Sequence, residues 1–310
     1  MMRLSVGVPI YNEQEVLPEL LCRLKAVLDA IPGGPHEVIF VDDGSTDDSR
    51  RILTQAAQQD RRIRLIALSR NFGHQAALGA AIDFARGDAL VLMDGDLQDE
   101  PELIPEFLHH YERGADVVYA RRASRREGLL RRIAYKTYYR VMTSLSDVPM
   151  PLDSGDFSLM GSRVLTAVRR LPERQRYLRG LRAWVGFRQV GIDVQRGSRA
   201  AGEPKYTTWA LVQLALDGIC SFSIVPLRAA TLTGLATIVL TVAFAFYAIY
   251  RRLVVGAVPV GFTASLVVMT LLSGVELLFL GVIGEYLGRI YTETKGRPTY
   301  LVADIVGGED

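Results

Sequence analysis

The stretch Leu90–Leu103, LVLMDGDLQDEPEL, decides the reading of the fold. Leu90 to Met93 are apolar and run without a break into Asp94, Asp96, Asp99, Glu100 and Glu102. A short apolar run of this kind reads as a strand buried on both faces, as in a parallel sheet. No Lys or Arg within the stretch offsets these carboxylates. Asp94 and Asp96 are two apart, which on a strand puts both side chains on one face. A lone D-x-D is more often a solvated turn, but its place after a buried strand favours a cation between the two carboxylates, and Mg²⁺ is usually held by one or two carboxylates plus substrate phosphates. A calcium loop is excluded, because its Gly and Glu positions are occupied by Asp99 and Pro105. Gln98 offers a neutral oxygen to metal or substrate. Asp99, Glu100 and Glu102 adjoin Pro101 and read as helix-start residues, where acids favour the dipole.

Outward from this stretch, apolar runs recur at Leu4–Pro9, Val38–Val41, Ile63–Leu68, Ala89–Met93 and Val117–Ala120. Helix-patterned stretches lie between them at Glu15–Ala30, Asp47–Gln59, Gln75–Arg86 and Pro101–Arg113. This alternation predicts a Rossmann-like α/β domain with a mostly parallel sheet and helices on both faces. Ligands of such sheets gather at the carboxyl ends of the strands. Polar clusters fall at four of those ends: PIYNE, VDDGSTD, SRNFG and MDGDLQ. Tyr11 can stack on a base, and Asn12 and Glu13 supply polar contacts. Asp42 and Asp43 can accept N–H bonds from a nucleobase or bond ribose hydroxyls. Gly44 reads as a turn, with Ser45 or Thr46 capping the next helix. His74 reads only as a cap after Gly73. No dinucleotide or P-loop fingerprint follows any strand.

The formal net charge is +2, so no global field points to nucleic acid. Cys22 and Cys220 form no zinc or disulfide pattern, which suits a reducing compartment. The chain enters its first strand without a signal-peptide pattern, so the N-terminal part is expected in the cytosol. Composition changes near position 225. Ala229–Tyr250 holds no charged residue, and Val258–Ile283 is interrupted only by Glu276. Each is long enough to cross a bilayer core of about 30 Å. A transmembrane hairpin over 229–283 is expected, against a buried helical pair in a soluble protein. Residues 207–228 read as an amphipathic juxtamembrane segment or as an ordinary packed helix. Residues 284–310 read as a cytosolic tail. Glu276, costly in lipid, is expected to face its partner helix or another subunit.

Residues 120–140 hold seven arginines and Lys136 against a single acid, Glu127. They read as a phosphate-binding group, a solvated helix face or an attraction to anionic lipid. A phosphomonoester bound there, with a second pKa of about 6, would already be an anion at neutral pH. Asp156, in SGDF, is read either as positioning a substrate or as a loop carboxylate fixed by Ser154 or Arg163.

The ordered set PIYNE, VDDGSTD, RNFGHQAA, DGDLQDEP, SGDFSLM and GEPKYT, followed by a membrane hairpin, resembles family 2 glycosyltransferases that act on polyprenyl phosphates. Dolichol-phosphate mannosyltransferases and bacterial undecaprenyl-phosphate glucosyltransferases are the most similar groups. The resemblance covers the whole chain. It implies a GT-A fold over 1–206, a nucleotide-sugar donor, Mg²⁺ or Mn²⁺, and inverting transfer. By match to the family motifs, Pro9, Tyr11, Asn12, Glu13, Asp42 and Asp43 would hold the nucleotide. Asp94, Asp96 and Gln98 would hold metal and diphosphate, and Asp156 stands as a catalytic candidate. Within the basic segment 121–150, Arg122 and Arg132 are favoured for the acceptor phosphate, with Arg121 and Arg131 as alternatives. The family's usual Ser three residues after Arg132 is Tyr135 here, and Arg199 and Lys205 match a further family stretch in which Pro204 replaces the usual Ser. The resemblance leans to UDP-glucose over GDP-mannose. A polysaccharide synthase and a non-catalytic scaffold are the other readings. Expected partners are the donor, the lipid phosphate, the membrane, a homo-oligomer and a downstream lipid-sugar flippase, without nucleic acid.

Overall fold

The computed structural model describes residues 3–122, 154–173, 177–194, 225–255 and 261–308. The described residues divide into two units.

The first unit is built on an eight-stranded sheet. Its parallel heart comprises β1 (Leu4–Ile10), β2 (Glu37–Asp42), β3 (Ile63–Leu68) and β4 (Ala89–Leu92). The intervening helices are α1 (Leu17–Ala30), α2 (Ser49–Gln59) and α3 (His74–Phe84). A 3₁₀ turn at Pro101–Leu103 leads into α4 (Ile104–Glu112). Then come β5 (Val117–Arg122), β6 (Ser154–Gly161), α5 (Ser162–Arg169), α6 (Leu178–Trp184) and β7 (Gln189–Val194). Last is β8 (Val302–Val306). The strand order is β7-β5-β6-β4-β1-β2-β3-β8. Every residue of β1 to β4 is buried, the expected signature of strands covered on both faces. Gly7 lets α3 approach β1: a Cβ there would lie 2.7 Å from that of Ala81.

The order places β4 and β2 on opposite sides of β1, so the chain reverses direction across the sheet between β1 and β4. Crevices at such a switch point are where ligands bind in open α/β sheets. The loops PIYNE and MDGDLQ therefore flank one crevice. On the other side of β4, antiparallel β6 pairs Leu92 with Ser158. The pairing ends there, so the loop after β4 brings Asp94 to the end of β6 that carries Asp156.

Two expectations are corrected here. The expected tail over 284–310 carries a structural element, because β8 pairs antiparallel with β3 and belongs to the first unit. Ser69 N–H donates to the Leu301 carbonyl at 2.9 Å, and the Tyr300 hydroxyl donates to Asp83 at 3.0 Å. The tail's alternating Val302, Asp304 and Val306 gave too short a pattern to announce an edge strand. Second, β4 ends at Leu92, so Asp94 and Asp96 lie in the following loop and not on a strand face. Leu97 takes φ 58° there, turning the chain between Asp96 and Gln98.

The second unit holds α7 (Val225–Tyr250) and α8 (Phe262–Thr294), with a π-helical turn at Arg251–Val255 after α7. Leu227–Tyr247 and Val268–Thr294 are long and apolar enough to cross a membrane, and neither is buried within the chain. That exposure suits membrane helices better than the buried pair of a soluble protein. The second helix continues to Thr294, past the expected end at Ile283. Glu276 is exposed on α8.

Candidate active site

At the carboxyl end of β2 the acids largely serve the chain itself. Asp42 Oδ1 accepts the Ser45 N–H at 3.0 Å. Its other oxygen, Oδ2, is buried and has no hydrogen-bond partner among the described residues. Asp43 accepts the N–H groups of Phe72 and Gly73 at 2.7 and 2.9 Å, tying β2 to the loop after β3. Burial raises the Asp43 pKa, with these two bonds acting the other way. Gly44, at φ 71°, is obligatory, since a Cβ would sit 2.6 Å from the Arg70 carbonyl carbon.

The loop after β1 is knitted to the same region. Asn12, at φ 56°, accepts the Thr46 N–H at 2.8 Å, and its own N–H donates to the Ser45 hydroxyl at 3.1 Å. Ser45 and Thr46 therefore brace Asn12 instead of capping α2 as expected. Glu13 N–H donates to the Ser49 hydroxyl at 3.0 Å. Pro9 is buried in β1, and Tyr11 is 39% exposed, leaving its ring available for stacking.

The loop after β4 folds on its own acids. Asp99 accepts the Asp94 N–H at 3.1 Å, so it closes this loop and is not simply a helix-start residue. Asp96 accepts the Gln98 N–H, also at 3.1 Å. Gly95 is pressed against the Ile10 side chain, where a Cβ would clash. Glu102 forms a two-point ion pair with Arg23 of α1, at 2.8 and 2.6 Å. The positive partner missing from the local sequence comes from a helix 79 positions away.

Asp156 lies on β6 and is gripped by Arg179 of α6 through two bonds of 2.8 and 2.7 Å. Neither Ser154 nor Arg163, the partners expected, is involved; Arg163 lies 3.5 Å from Asp116. Burial opposes charge on Asp156, yet Arg179 and His74 outweigh it and hold the carboxyl far below the usual carboxylate range. Beneath it, Arg182 is almost fully buried beside the Tyr119 ring, and burial pulls its guanidinium down to about 10.

His74 opens α3 with its Nε2 at 3.5 Å from Asp94 and 3.7 Å from Asp156. Burial disfavours its charged form, but Asp156 and Asp94 prevail and raise its pKa. The site thus joins groups from β4, β6, α3 and α6. His74, Arg179 and Arg182 were missed from sequence. For His74 the signal was present, a His after a turn glycine at a strand's carboxyl end. For the arginines only the fold supplies it.

Arg121 is held by Asp193 of β7, with Nη2 donating at 2.9 Å. Arg122 ends β5. Arg132, Arg199 and Lys205 lie outside the described residues. Among the described residues no three His, Cys, Asp or Glu side chains form a ready metal cage. Asp94 and Asp96 fit a hard divalent ion nonetheless, because such an ion takes most of its remaining ligands from substrate phosphates and water.

A switch-point crevice edged by acid-bearing loops, on a mostly parallel sheet with antiparallel β6 inserted, defines a GT-A-type transferase domain. The family model for glycosyl transferase family 2 matches residues 5–168, and the chain belongs to that family of enzymes. A relative from Synechocystis sp., an uncharacterized glycosyltransferase, is 42% identical over 99% of this chain and 96% of its own length. The SfII prophage-derived bactoprenol glucosyl transferase of Shigella flexneri is 36% identical, covering 97% of each chain. The prophage bactoprenol glucosyl transferase homolog of Escherichia coli K12 is also 36% identical, over 97% of this chain and 98% of its own. Among solved structures, S. aureus TarS 1-349 in complex with UDP-GlcNAc is 18% identical with a TM-score of 0.49, covering 71% of this chain and 67% of that one. That likeness is too slight to carry an argument about function.

Proposed function

We propose that this chain transfers glucose from UDP-glucose to membrane polyprenyl phosphate, undecaprenyl phosphate in bacteria, with inversion at the anomeric carbon. The observation that carries this reading is the likeness to proteins named as bactoprenol glucosyl transferases, which runs through the sheet and both candidate membrane helices. A phosphate oxygen of the acceptor forms the new bond to the anomeric carbon. The bond from that carbon to the diphosphate oxygen breaks, and UDP leaves. The acceptor is already an anion, since its second pKa is about 6. No side chain has to take a proton from it. Asp156 suits that chemistry: a carboxylate so acidic, and held by Arg179, is a poor base and a good fixed negative group.

Asp94, Asp96 and Gln98 would hold a divalent ion, Mg²⁺ or Mn²⁺. Bound there, the ion would supply charge neutralisation for the diphosphate and for its departure. Tyr11, Asn12, Glu13 and Asp42 would receive the nucleotide, with the buried Asp42 Oδ2 as an acceptor still to be matched. Arg122, Arg132, Arg199 and Lys205 would receive the lipid phosphate, Arg pairing bidentately with its oxygens. The catalytic unit would face the cytosol from the inner membrane. Two crossings would suit the connectivity, because β8 follows both candidate helices and belongs to the sheet.

The test uses the purified full chain in detergent with undecaprenyl phosphate and Mg²⁺ or Mn²⁺. Labelled UDP-glucose, UDP-N-acetylglucosamine and GDP-mannose are supplied in separate reactions. UDP-glucose should give an organic-extractable labelled lipid that a chelator abolishes. Label from GDP-mannose alone would make the chain a mannosyltransferase, and no extractable label from any donor would overturn the reading.

A further inference from the structure

We infer that His74 is a positioning residue for the transfer, a single imidazole that sets the spacing of the donor-side and β6 carboxylates. This rests on the transferase reading above. Three features of the fold converge on it. First, Asp43 fixes the backbone just before His74 by accepting the Phe72 and Gly73 N–H groups. The position of the imidazole is therefore set from β2. Second, the β4–β6 pairing ends at Leu92 and Ser158, so the loop after β4 brings Asp94 to the same end of β6 that carries Asp156. Third, Asp156 already has a two-point partner in Arg179. His74 Nε2 lies between the acids, 3.5 Å from one and 3.7 Å from the other.

One Nε2–H can donate to only one carboxylate at a time. At 3.5 Å from Asp94 and 3.7 Å from Asp156, the imidazole is within reach of either carboxylate. When Asp94 turns to the donor's end of the site, Nε2–H is left to Asp156. Asp156 is then held from two directions, by Arg179 and by His74. The result is a fixed anionic edge beside the sugar, whose place depends on the loop that Asp43 clamps. No proton transfer to substrate is assigned to His74.

The experiment compares His74→Ala and His74→Gln in the full-length protein, with an Asp156→Asn variant to close a double-mutant cycle. Gln carries an N–H of similar reach. Steady-state kinetics with saturating acceptor give kcat and donor KM, and calorimetry gives UDP binding in the presence of Mn²⁺. Losing an orienting partner of this kind typically costs 10–100-fold. His74→Ala should lower kcat by about that factor, with donor KM changed only a few-fold. His74→Gln should recover most of the loss, and His74→Ala should cost much less once Asp156 is Asn. Thermal midpoints should stay with the parent. Parent-like kcat in His74→Ala overturns the inference. So does additive behaviour in the cycle, or equal loss in both His74 variants with a fallen thermal midpoint. If the parent makes no lipid-linked sugar, the transferase reading fails by itself. In that case metal-dependent UDP binding to the His74 and Asp156 variants still reads the coupling, and additive effects there sink it.

Discussion

Two loops carry the same written signature, a buried strand ending in paired acids, and the fold uses them differently. After β2, Asp43 spends both carboxylate oxygens on backbone N–H groups, and Asp42 spends one. After β4, the backbone is tied by Asp99 and Asp96, while Asp94 looks across to His74 and β6. The first pair chiefly builds the crevice, and the second is presented to it. An acid pair after a strand marks a functional edge without saying which carboxylates reach the ligand.

That contrast can be broken by substitution. Asp96→Ala should have the largest effect. On the metal reading proposed above, loss of this carboxylate should lower lipid-linked product formation by about 100-fold or more, with the thermal midpoint little changed. Full turnover at ordinary Mg²⁺ would move the second loop into the structural class. Asp43→Ala should behave in the opposite way. Two N–H groups lose their acceptor, and denaturant unfolding should show a cost of about 2 kcal/mol. Unchanged stability with lost nucleotide binding would mean that Asp43 acts on ligand after all.

Asp42→Asn sharpens the comparison within one loop. It keeps an acceptor for Ser45 and removes a buried charge, so stability should hold or rise. Affinity for UDP should fall about tenfold, close to 1.4 kcal/mol, if Oδ2 meets the nucleotide. Calorimetry showing parent-like affinity would remove Asp42 from the binding set. The smallest effect is expected from Tyr300→Phe, remote from both acid pairs. It deletes one hydroxyl bond to Asp83 and should cost about 1 kcal/mol of unfolding free energy, with kcat unaltered.

The same contrast shows why some features could be read from sequence and others could not. The run Ile63–Leu68 was read with its observed bounds, because a strand buried on both faces is apolar throughout and says so locally. Helix α4 was legible too, although its first turn is 3₁₀. Asp99 was misread, because acids before a Pro are common at helix starts and its bond to the Asp94 N–H needs the loop's actual path. His74 was undervalued for a similar reason. Its neighbours Asp94 and Asp156 are brought to it by strand pairing, which a periodicity cannot show.

The five acids around Pro101 in DGDLQDEPEL could only be sorted in three dimensions. By itself the sequence determined the alternation of strands and helices, the polar strand ends, the two apolar helices and the family. These are set by local periodicity and by which residues can tolerate burial. The tertiary structure decided that Arg23 answers Glu102, that Arg179 holds Asp156, and that β8 closes the sheet beside β3. It also decided that His74 stands between two carboxylates. Those pairings depend on strand order and register, and charges far apart along the chain meet only once the shared core has fixed both.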